Sequence, residues 1–252
     1  MYEIRIGEIF SVHTSFSRNP GTSGEVNQIK TIDTINSFAM DLNIQDIRRD
    51  YKVGSLSSKD MPKDPIEKAE SWIQEAIDLK VIEPTAVLVA TADTEGHPSS
   101  RTVLLKEVKD GKFIFYSNYE SRKGHQIDAN PYVSLTFLWH QLERQIHIEG
   151  ICRHVPPEVS DAYFATRPYK SQVGARISPQ SRPIPGRLFI VTEFAKEAVK
   201  YPFKVPRPET WGGFEVIPHR VEFWQGRESR LHDRFLYELQ EDGVWTMERV
   251  AP

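Results

Sequence analysis

The sequence predicts a mainly β protein with covering helices, folded as an antiparallel barrel or sandwich. Eight short segments with strand character follow residue 84, and helical patterns are few. The turn-forming stretches "DTEGHP" and "KDGK" separate the first three segments. Strands joined by such short turns pair with their neighbours, and this pairing is antiparallel. The segments are "TAVLVATAD", "RTVLLKEV", "KFIFYSN", "YVSLTFLW", "RQIHIEGICRHV", "GGFEVIPHRVEFWQG", "RLHDRFLYEL" and "VWTMERV".

The composition is that of a globular chain. Of 252 residues, 39% are hydrophobic and 27% are charged, and the net charge is −3. This length is sufficient for a sizeable core in one large domain or two small ones. A weakly negative chain has no global attraction to nucleic acid or to an anionic membrane, so we expect neither as a partner.

Cysteine and histidine usage bears on compartment and metal binding. Cys152 is the one cysteine, which excludes an intramolecular disulfide and a cysteine-based zinc site. No histidines have the helical i, i+4 spacing of a zinc motif, so we expect no metal. No apolar run approaches the ~20 residues of a membrane span, and the first residues lack the pattern of a signal peptide. We therefore expect a cytoplasmic protein.

The first part of the chain differs from the rest. The stretch "SRNPGTSGEVNQ" is polar and rich in turn-forming residues, and the apolar segments beside it are short and isolated. We predict an N-terminal extension over residues 1–43, partly disordered and without assignable chemistry. One folded domain is predicted over residues 44–252.

The first helix is predicted to begin after "MPKDP". Asp64 is a suitable N-cap residue, and Pro65 suits the first turn. Later helices are predicted within "SRKGHQIDAN", "PPEVSDAYFATR" and "GRLFIVTEFAKEAVKY". The first helix would bury an apolar stripe at helical spacing, formed by Ala69, Trp72, Ile73, Ala76 and Ile77.

Two groups of basic residues indicate bound anions. In "RTVLLK", Arg101 and Lys106 bracket an apolar strand and fall on its opposite faces. They are either charged strand ends in solvent or ligands of two anions on the two sides of one strand. With Ser121 as N-cap, Arg122 and Lys123 lie in a first helical turn, where cations are unfavourable. A phosphate bound at that helix end would reverse the effect.

A further set of phosphate donors occurs in "DAYFATRPYKSQVGA". Tyr163, Arg167 and Ser171 carry hydroxyl and guanidinium groups that bind phosphate well. Pro168 interrupts the helix, so Arg167 is predicted at its C-terminus and Ser171 on the following turn. The alternative is an ordinary helix end with a favourable arginine.

The stretch "EFWQGRESRLHDR" combines aromatic and cationic residues. If it is a strand, alternation places Arg230, His232 and Arg234 on one face. Trp224 lies just upstream. Taken alone, His232 is more typical of a structural residue than of a catalytic one. Together the segments indicate a site for two anionic groups and a flat aromatic ligand stacked near Trp224.

These motifs resemble those of the pyridoxamine (pyridoxine) 5′-phosphate oxidases. The resemblance covers residues 44–252, through "DIRRDY", "RTVLLK", "FYSNYESRKGHQI", "LERQIHIEG", "YFATRPYKSQVGA", "SPQS", "VPRPETWGGF", "EFWQGRESRLHDR" and "RVAP". It implies an antiparallel FMN-binding split β-barrel with FMN as cofactor. It also implies a homodimer whose active sites form at the subunit interface.

The resemblance implies roles for individual residues. Arg230 and His232 would be catalytic, lying over and beside the pyridine ring, and residues 48–51 would form a lid. The residues implied in FMN binding are Arg101, Thr102, Val103, Leu104, Leu105, Lys106, Tyr116, Ser117, Arg122, Lys123, Gln145, Gln180, Ser181, Trp224 and Arg234. Those implied in substrate binding are Arg48, Arg49, Asp50, Tyr51, Lys106, Tyr163, Arg167, Ser171, Arg230, Leu231 and His232.

The family's reaction is the oxidation of pyridoxamine or pyridoxine 5′-phosphate at C4′ to pyridoxal 5′-phosphate. A hydride passes to FMN, and O2 reoxidises FMN to give hydrogen peroxide, while the protein supplies orientation and charge. One alternative is a related split-barrel flavin oxidase that acts on another small molecule; the complete set of phosphate donors argues against it. The other is a non-catalytic module that binds flavin or pyridoxal phosphate, against which Arg230 and His232 argue.

A few residues depart from the family's pattern. Ser117 stands where a threonine is common, which preserves the hydroxyl group. Arg176 and Arg182 stand where an apolar and a small residue are common. We expect these two arginines to add positive charge near the flavin.

Overall fold

A computed structural model describes residues 44–47 and 49–252. The predicted extension over residues 1–43 and the first lid residue, Arg48, lie outside this part. The chain divides into two compact units, Met1–Ile47 and Arg48–Pro252. The second unit contains all the described helices and strands.

The described strands form an antiparallel barrel, as predicted. Their order is β3-β2-β1-β4-β5-β6, a second pairing of β3 with β6 closes the barrel, and β7 and β8 continue from β6. Each of the eight predicted segments overlaps one strand, although β2 and β6 begin before their segments. The bounds are β1 (Ala86–Ala92), β2 (Pro98–Lys109), β3 (Lys112–Asn118), β4 (Tyr132–Trp139), β5 (Arg144–His154), β6 (Trp211–Gln225), β7 (Asp233–Leu239) and β8 (Trp245–Arg249).

The barrel interior is filled by aromatic and branched side chains at alternate strand positions. Phe113 and Phe115 on β3, Phe137 on β4, and Phe214 and Phe223 on β6 are fully buried. Because strand side chains alternate between faces, the intervening residues are free to line surface cavities. The strands that fill the core therefore also carry the polar residues of the site.

In the described part of the chain, five α-helices accompany the barrel. In the first, Asp64 Oδ1 accepts a hydrogen bond of 2.8 Å from the Ile66 amide, so the predicted N-cap is confirmed. Trp72 packs edge-on against Phe223 with ring centroids 5.3 Å apart. Ile77 is the one residue of the predicted apolar stripe that is not buried. It is 41% exposed because it lies in the last turn of the helix, after the buried Ala76. The helices are α1 (Pro65–Asp78), α2 (Arg122–Ala129), α3 (Pro157–Thr166), α4 (Tyr169–Ile177) and α5 (Arg187–Lys200).

None of these helices in the described part of the chain is long and apolar enough to cross a membrane.

Two details of the local predictions are wrong. Arg167 ends α3 as predicted, but Ser171 lies in the first turn of α4 rather than in a loop, because Pro168 begins a new helix as its N-cap. Arg230 and His232 precede β7, which begins at Asp233, so the predicted strand face is not formed. Arg230 has φ of 62°, a left-handed conformation that an extended strand does not contain.

The buried carboxylate of Asp233 explains where β7 begins. It pairs with Arg227 and Arg249 and accepts a hydrogen bond of 3.0 Å from the Leu56 amide. These contacts come from segments far apart in sequence. Strand periodicity over Arg230–Arg234 could not reveal them.

Candidate active site

One cavity of about 450 Å³ is lined by β2, β3, the start of α2 and the segment after α4. Its charged residues are Arg101, Arg122 and Lys123, and no carboxylate is among its described lining residues. We call it the Lys123 cavity. Three cations without a counter-charge favour a bound anion. The other lining residues are Ser99, Ser100, Thr102, Val103, Ser117, Gln180 and Ser181.

Among the described residues, Lys123 is held by neutral partners only. Its Nζ donates to Ser117 Oγ at 2.7 Å, to Ser121 Oγ at 2.9 Å and to Gln180 Oε1 at 2.7 Å. Burial, with a smaller contribution from nearby Arg101, lowers the pKa of Lys123 to about 8. An anion in the cavity would supply the charge that these partners lack.

Arg101 is oriented toward the same cavity by two hydroxyl groups. Its Nη1 donates to Thr91 Oγ1 and its Nη2 to Ser99 Oγ, each at 2.7 Å. Burial lowers the pKa of Arg101, and the charge of Arg122 lowers it further. The guanidinium is therefore fixed in place without a carboxylate partner in the described part of the chain.

The start of α2 is positioned by a cap and by a close backbone approach. Ser121 Oγ accepts a hydrogen bond from the Gly124 amide at 3.3 Å, so the predicted N-cap is confirmed. A Cβ at Gly124 would lie 1.7 Å from the carbonyl oxygen of Tyr119, so only glycine fits there. This packing fixes Arg122 and Lys123 at the cavity.

A neighbouring cavity of about 490 Å³ contains the predicted substrate-phosphate donors. We call it the Arg167 cavity. It shares Val103, Ser117 and Gln180 with the Lys123 cavity, so the two are adjacent. Its charged residues are Lys106 and Arg167, and again no carboxylate is among its described lining residues. The remaining lining residues are Leu104, Tyr116, Tyr163, Thr166, Pro168, Ser171 and Trp211.

Aromatic rings set the position of Arg167. Its guanidinium lies 4.4 Å from the ring centroid of Trp211, and its buried Nη1 has no hydrogen-bond partner in the described chain. Burial lowers the pKa of Arg167, and the nearby Tyr163 has a smaller, opposite effect that raises it. Tyr116 and Tyr163 stack at 3.8 Å, and burial, the largest cause, raises the pKa of Tyr116 to about 12. Burial also raises the pKa of Tyr163, so both phenols remain donors at neutral pH.

Sequence reasoning assigned no role to Trp211. The residue belongs to the quoted stretch "VPRPETWGGF", where a tryptophan precedes two glycines. A Cβ at Gly213 would lie 2.9 Å from the Tyr116 ring. The paired glycines were thus a signal that aromatic side chains approach the backbone closely here.

A third group of predicted residues forms a cluster of rings, Tyr51, Trp224 and His232, which we call the ring cluster. The Tyr51 ring meets Trp224 at 5.7 Å and His232 at 5.5 Å, and Trp224 lies 4.6 Å from His232. His232 Nδ1 accepts a hydrogen bond of 3.1 Å from the Arg227 amide. Burial and then the charge of Arg230 lower the pKa of His232. The neutral ring therefore carries its proton on Nε2.

Gln145, Trp224 and Arg234 lie side by side on β5, β6 and β7. Gln145 pairs with Trp224, and Trp224 pairs with Arg234. Arg234 donates to both carboxylate oxygens of Glu222, at 2.7 and 2.9 Å, and to the carbonyl oxygen of Ala251 at 2.7 Å. Three of the residues implied in FMN binding therefore occupy one row, which includes Trp224 of the ring cluster.

The ring cluster stands apart from the two cation-lined cavities. Tyr51 and Leu231 line a separate cavity of about 570 Å³, which has no described lining residue in common with the other two. Asp50 and Arg230 are exposed. Leu105 is buried in the barrel core and lines none of these cavities. Within one chain, the predicted site residues thus form two separate groups.

The two arginines that depart from the family's pattern are both paired. Arg176 Nε lies 2.5 Å from Glu197 Oε1, and Arg182 Nη2 lies 3.0 Å from Glu120 Oε2. Neither adds an unpaired positive charge to the site.

The closed antiparallel barrel with its two cation-lined cavities places the chain in a class, the FMN-binding split-barrel proteins. A solved pyridoxamine 5′-phosphate oxidase-related, FMN binding protein from Nostoc punctiforme PCC 73102 has the same fold, with a TM-score of 0.62 and 14% identity, over 76% of this chain and 100% of that one. PhzG from Burkholderia lata 383, solved with tetrahydrophenazine-1-carboxylic acid, superposes with a TM-score of 0.75 and 28% identity. The match covers 79% of this chain and 99% of that one.

Sequence comparison identifies the family within this class. Residues 73–201 match pyridoxamine 5′-phosphate oxidase, and residues 211–252 match the pyridoxine 5′-phosphate oxidase C-terminal dimerisation region. The pyridoxine/pyridoxamine 5′-phosphate oxidase of Porphyromonas gingivalis is 65% identical over 84% of this chain and 100% of its own length. The enzyme of that name from Bacteroides thetaiotaomicron is 57% identical over 83% of this chain and 99% of its own. The chain belongs to the pyridoxamine 5′-phosphate oxidase family.

Proposed function

We infer that this protein is an FMN-dependent oxidase that converts pyridoxamine 5′-phosphate and pyridoxine 5′-phosphate to pyridoxal 5′-phosphate. One structural observation supports this inference in addition to family membership. Two adjacent cavities, each lined by cations and lacking a carboxylate among the described lining residues, share Val103, Ser117 and Gln180. Two phosphorylated ligands side by side, a cofactor and a substrate, match this arrangement.

The Lys123 cavity is the proposed site of the FMN phosphate. Arg101, Arg122 and Lys123 would neutralise its charge, and the hydroxyl group of Ser117 would add a hydrogen bond. The three described partners of Lys123 are neutral, so an anion bound here would balance its charge. When bound, FMN supplies the two-electron oxidation of the substrate.

The Arg167 cavity is the proposed site of the substrate phosphate. Lys106, Tyr163, Arg167 and Ser171 all line it, and the unpartnered Nη1 of Arg167 is a donor available to a phosphate oxygen. Stacking on Trp211 limits the rotation of this guanidinium before the substrate arrives. Binding energy at the phosphate then serves to hold C4′ in position.

Arg230 and His232 are proposed to orient the substrate's pyridine ring. With Nδ1 occupied by the Arg227 amide, His232 offers Nε2–H as a hydrogen-bond donor. Arg230 is exposed and adds positive charge beside it.

Dioxygen is the proposed electron acceptor, with hydrogen peroxide as the second product. We also assign the protein to the cytoplasm, because Cys152 is the one cysteine and is buried as a thiol.

We further propose that each active site combines two subunits. The separation of the ring cluster from the cation-lined cavities within one chain supports this assignment. The match of residues 211–252 to a dimerisation region supports it independently, because Trp224 and Arg234 lie in that region. The partner's ring cluster would then cover the cavities of the first subunit.

The absorbance spectrum of the purified protein tests the proposed reaction. We expect flavin bands that bleach when pyridoxamine 5′-phosphate is added without oxygen, and that return with hydrogen peroxide when air is admitted. A yellow protein whose bands do not respond to either phosphorylated substrate would contradict the proposal.

A mixed dimer tests the two-subunit site. Arg167→Leu impairs one group of residues and His232→Ala the other. At a substrate concentration far below KM, where both variants are impaired, co-refolding them should restore about a quarter of the wild-type rate, since half of randomly assorted dimers are mixed and each has one intact site. Absence of recovery in dimers shown to be mixed would place both groups in one subunit.

A further inference from the structure

Glu143 occupies an unusual position in the turn between β4 and β5. Its φ is 54°, in the left-handed region that residues with long side chains seldom adopt. The residue is only 3% exposed, although carboxylates are rarely buried without a partner. A strained backbone and a buried charge at one residue call for a compensating interaction.

That interaction is with the segment proposed as the lid. Arg49 Nη2 donates to Glu143 Oε1 at 2.7 Å, and the Val53 amide donates to Oε2 at 2.8 Å. Burial raises the pKa of Glu143, but the bonds from Val53 and Arg49 outweigh it and hold the pKa below its usual value. The carboxylate is therefore charged and uses both oxygens to hold residues on either side of Tyr51.

The backbone of Glu143 holds the opposite side of the ring cluster. Its carbonyl oxygen accepts hydrogen bonds from the Gly226 amide at 2.7 Å and from Gln225 Nε2 at 3.2 Å. A Cβ at Gly226 would lie 2.9 Å from the Tyr51 ring, so the ring packs directly on this backbone. Through its side chain and its carbonyl, Glu143 connects Tyr51 to the strand that carries Trp224.

We propose that Glu143 is a positioning residue that holds Arg49–Val53 as a preformed lid, with Tyr51 against Trp224 and His232. This inference rests on the proposed function, because the lid acts on the substrate bound there. Glu143 does not line the Lys123 or the Arg167 cavity. It acts through Arg49 and Tyr51. When its carboxylate is removed, the lid opens more often.

Glu143→Gln tests the proposal, because glutamine keeps the shape but loses the charge and one acceptor. In the wild-type holoenzyme without substrate, trypsin should cleave slowly after Lys52. In the variant we expect cleavage there about tenfold faster, since the segment opens more often. The KM for pyridoxamine 5′-phosphate should rise on the order of 3- to 10-fold, with kcat within about twofold and full FMN content.

Arg49→Gln removes the same ion pair from the lid side, at a side chain that is 58% exposed and is not part of the barrel core. It should reproduce both effects, and the double variant should be no worse than either single variant. Glu215→Gln is the matched control. Glu215 is also buried and pairs with Lys112 and Arg153, but it has no described contact with residues 49–53.

Wild-type rates of cleavage after Lys52 in both Glu143→Gln and Arg49→Gln would overturn the proposal. Equal acceleration in Glu215→Gln would also overturn it, since the effect would then be general destabilisation. Proteolysis is measured without turnover, so this result stands even if the wild-type chain oxidises neither proposed substrate. Failure of the proposed function and failure of the Glu143 assignment are thereby distinguished.

Discussion

The guanidinium of Arg167 lies 4.4 Å from the indole ring centroid of Trp211, and its Nη1 is buried without a hydrogen-bond partner in the described chain. A buried donor without a partner destabilises the folded protein unless a ligand accepts a hydrogen bond from it. Tyr163 and Ser171 line the same cavity. The arrangement suits the proposed phosphate site, because one donor is already desolvated and oriented.

Replacing Arg167 should weaken substrate binding selectively. A charge-assisted hydrogen bond contributes about 1.5–3 kcal/mol, so Arg167→Leu should lower kcat/KM for pyridoxamine 5′-phosphate by roughly 10- to 150-fold. The loss should appear mainly in KM, because the phosphate is remote from C4′ and binds alike in the ground and transition states. Steady-state kinetics and the flavin absorbance ratio measure both quantities.

Arg176→Leu is a matched control for that change. Arg176 also stacks on an aromatic ring, Tyr201 at 4.7 Å, but it pairs with Glu197 and lies outside both cation-lined cavities. We expect an unchanged KM. Loss of FMN from Arg167→Leu with an unchanged KM would mean that the two phosphate sites are exchanged.

FMN affinity should depend on pH through Lys123. Its pKa is lowered to about 8 in the free protein, so the amine loses its charge above that pH, where the FMN phosphate still needs a cation. The Kd for FMN should therefore rise about tenfold between pH 7 and pH 9. Titration of the flavin-free protein, followed by flavin fluorescence quenching, measures this.

Lys123→Met provides the comparison for the pH experiment. It removes the titrating group, so its FMN affinity should be weaker at pH 7 and nearly constant up to pH 9. A Kd of the wild-type protein that does not change across this range would show that Lys123 keeps its proton or does not contact the phosphate.

Arg230 and His232 should affect turnover more than flavin retention. Arg230→Ala and His232→Ala each remove a group proposed to orient the pyridine ring, so the oxidation rate should fall at least about tenfold. The purified proteins should remain yellow. His97→Ala, at an exposed histidine in the β1–β2 turn, should keep the wild-type rate. An Arg230→Ala protein without FMN would contradict the assignment to the substrate.

Residues 1–43 should be dispensable. They lie outside the resemblance to the family and have no periodic pattern of core residues. A chain beginning at Ile44 should keep its FMN content and its oxidation rate nearly unchanged. A large loss of either quantity would show that the extension contributes to the active site or to the dimer.

Strand periodicity predicted the wrong conformation for part of the stretch "EFWQGRESRLHDR". Arg230 and His232 were expected on a strand face with Arg234, but they lie in the connection before Asp233. His232 still reaches Trp224, because its ring is held by the Arg227 amide and by Tyr51. The residue types were informative where the local pattern was not.

The sequence by itself determined the eight strands, the caps at Asp64 and Ser121, and the basic residues that line the two cavities. These features depend on hydrophobic alternation and on polar groups within a few residues, which a linear pattern contains. Only the tertiary structure decided that Trp211 supports Arg167, that Glu143 holds Arg49, and that Asp233 sets the start of β7. Arg49 and Glu143 are 94 positions apart, and Leu56 and Asp233 are 177 apart. Pairings between such distant segments form when the barrel closes, and no local propensity encodes them.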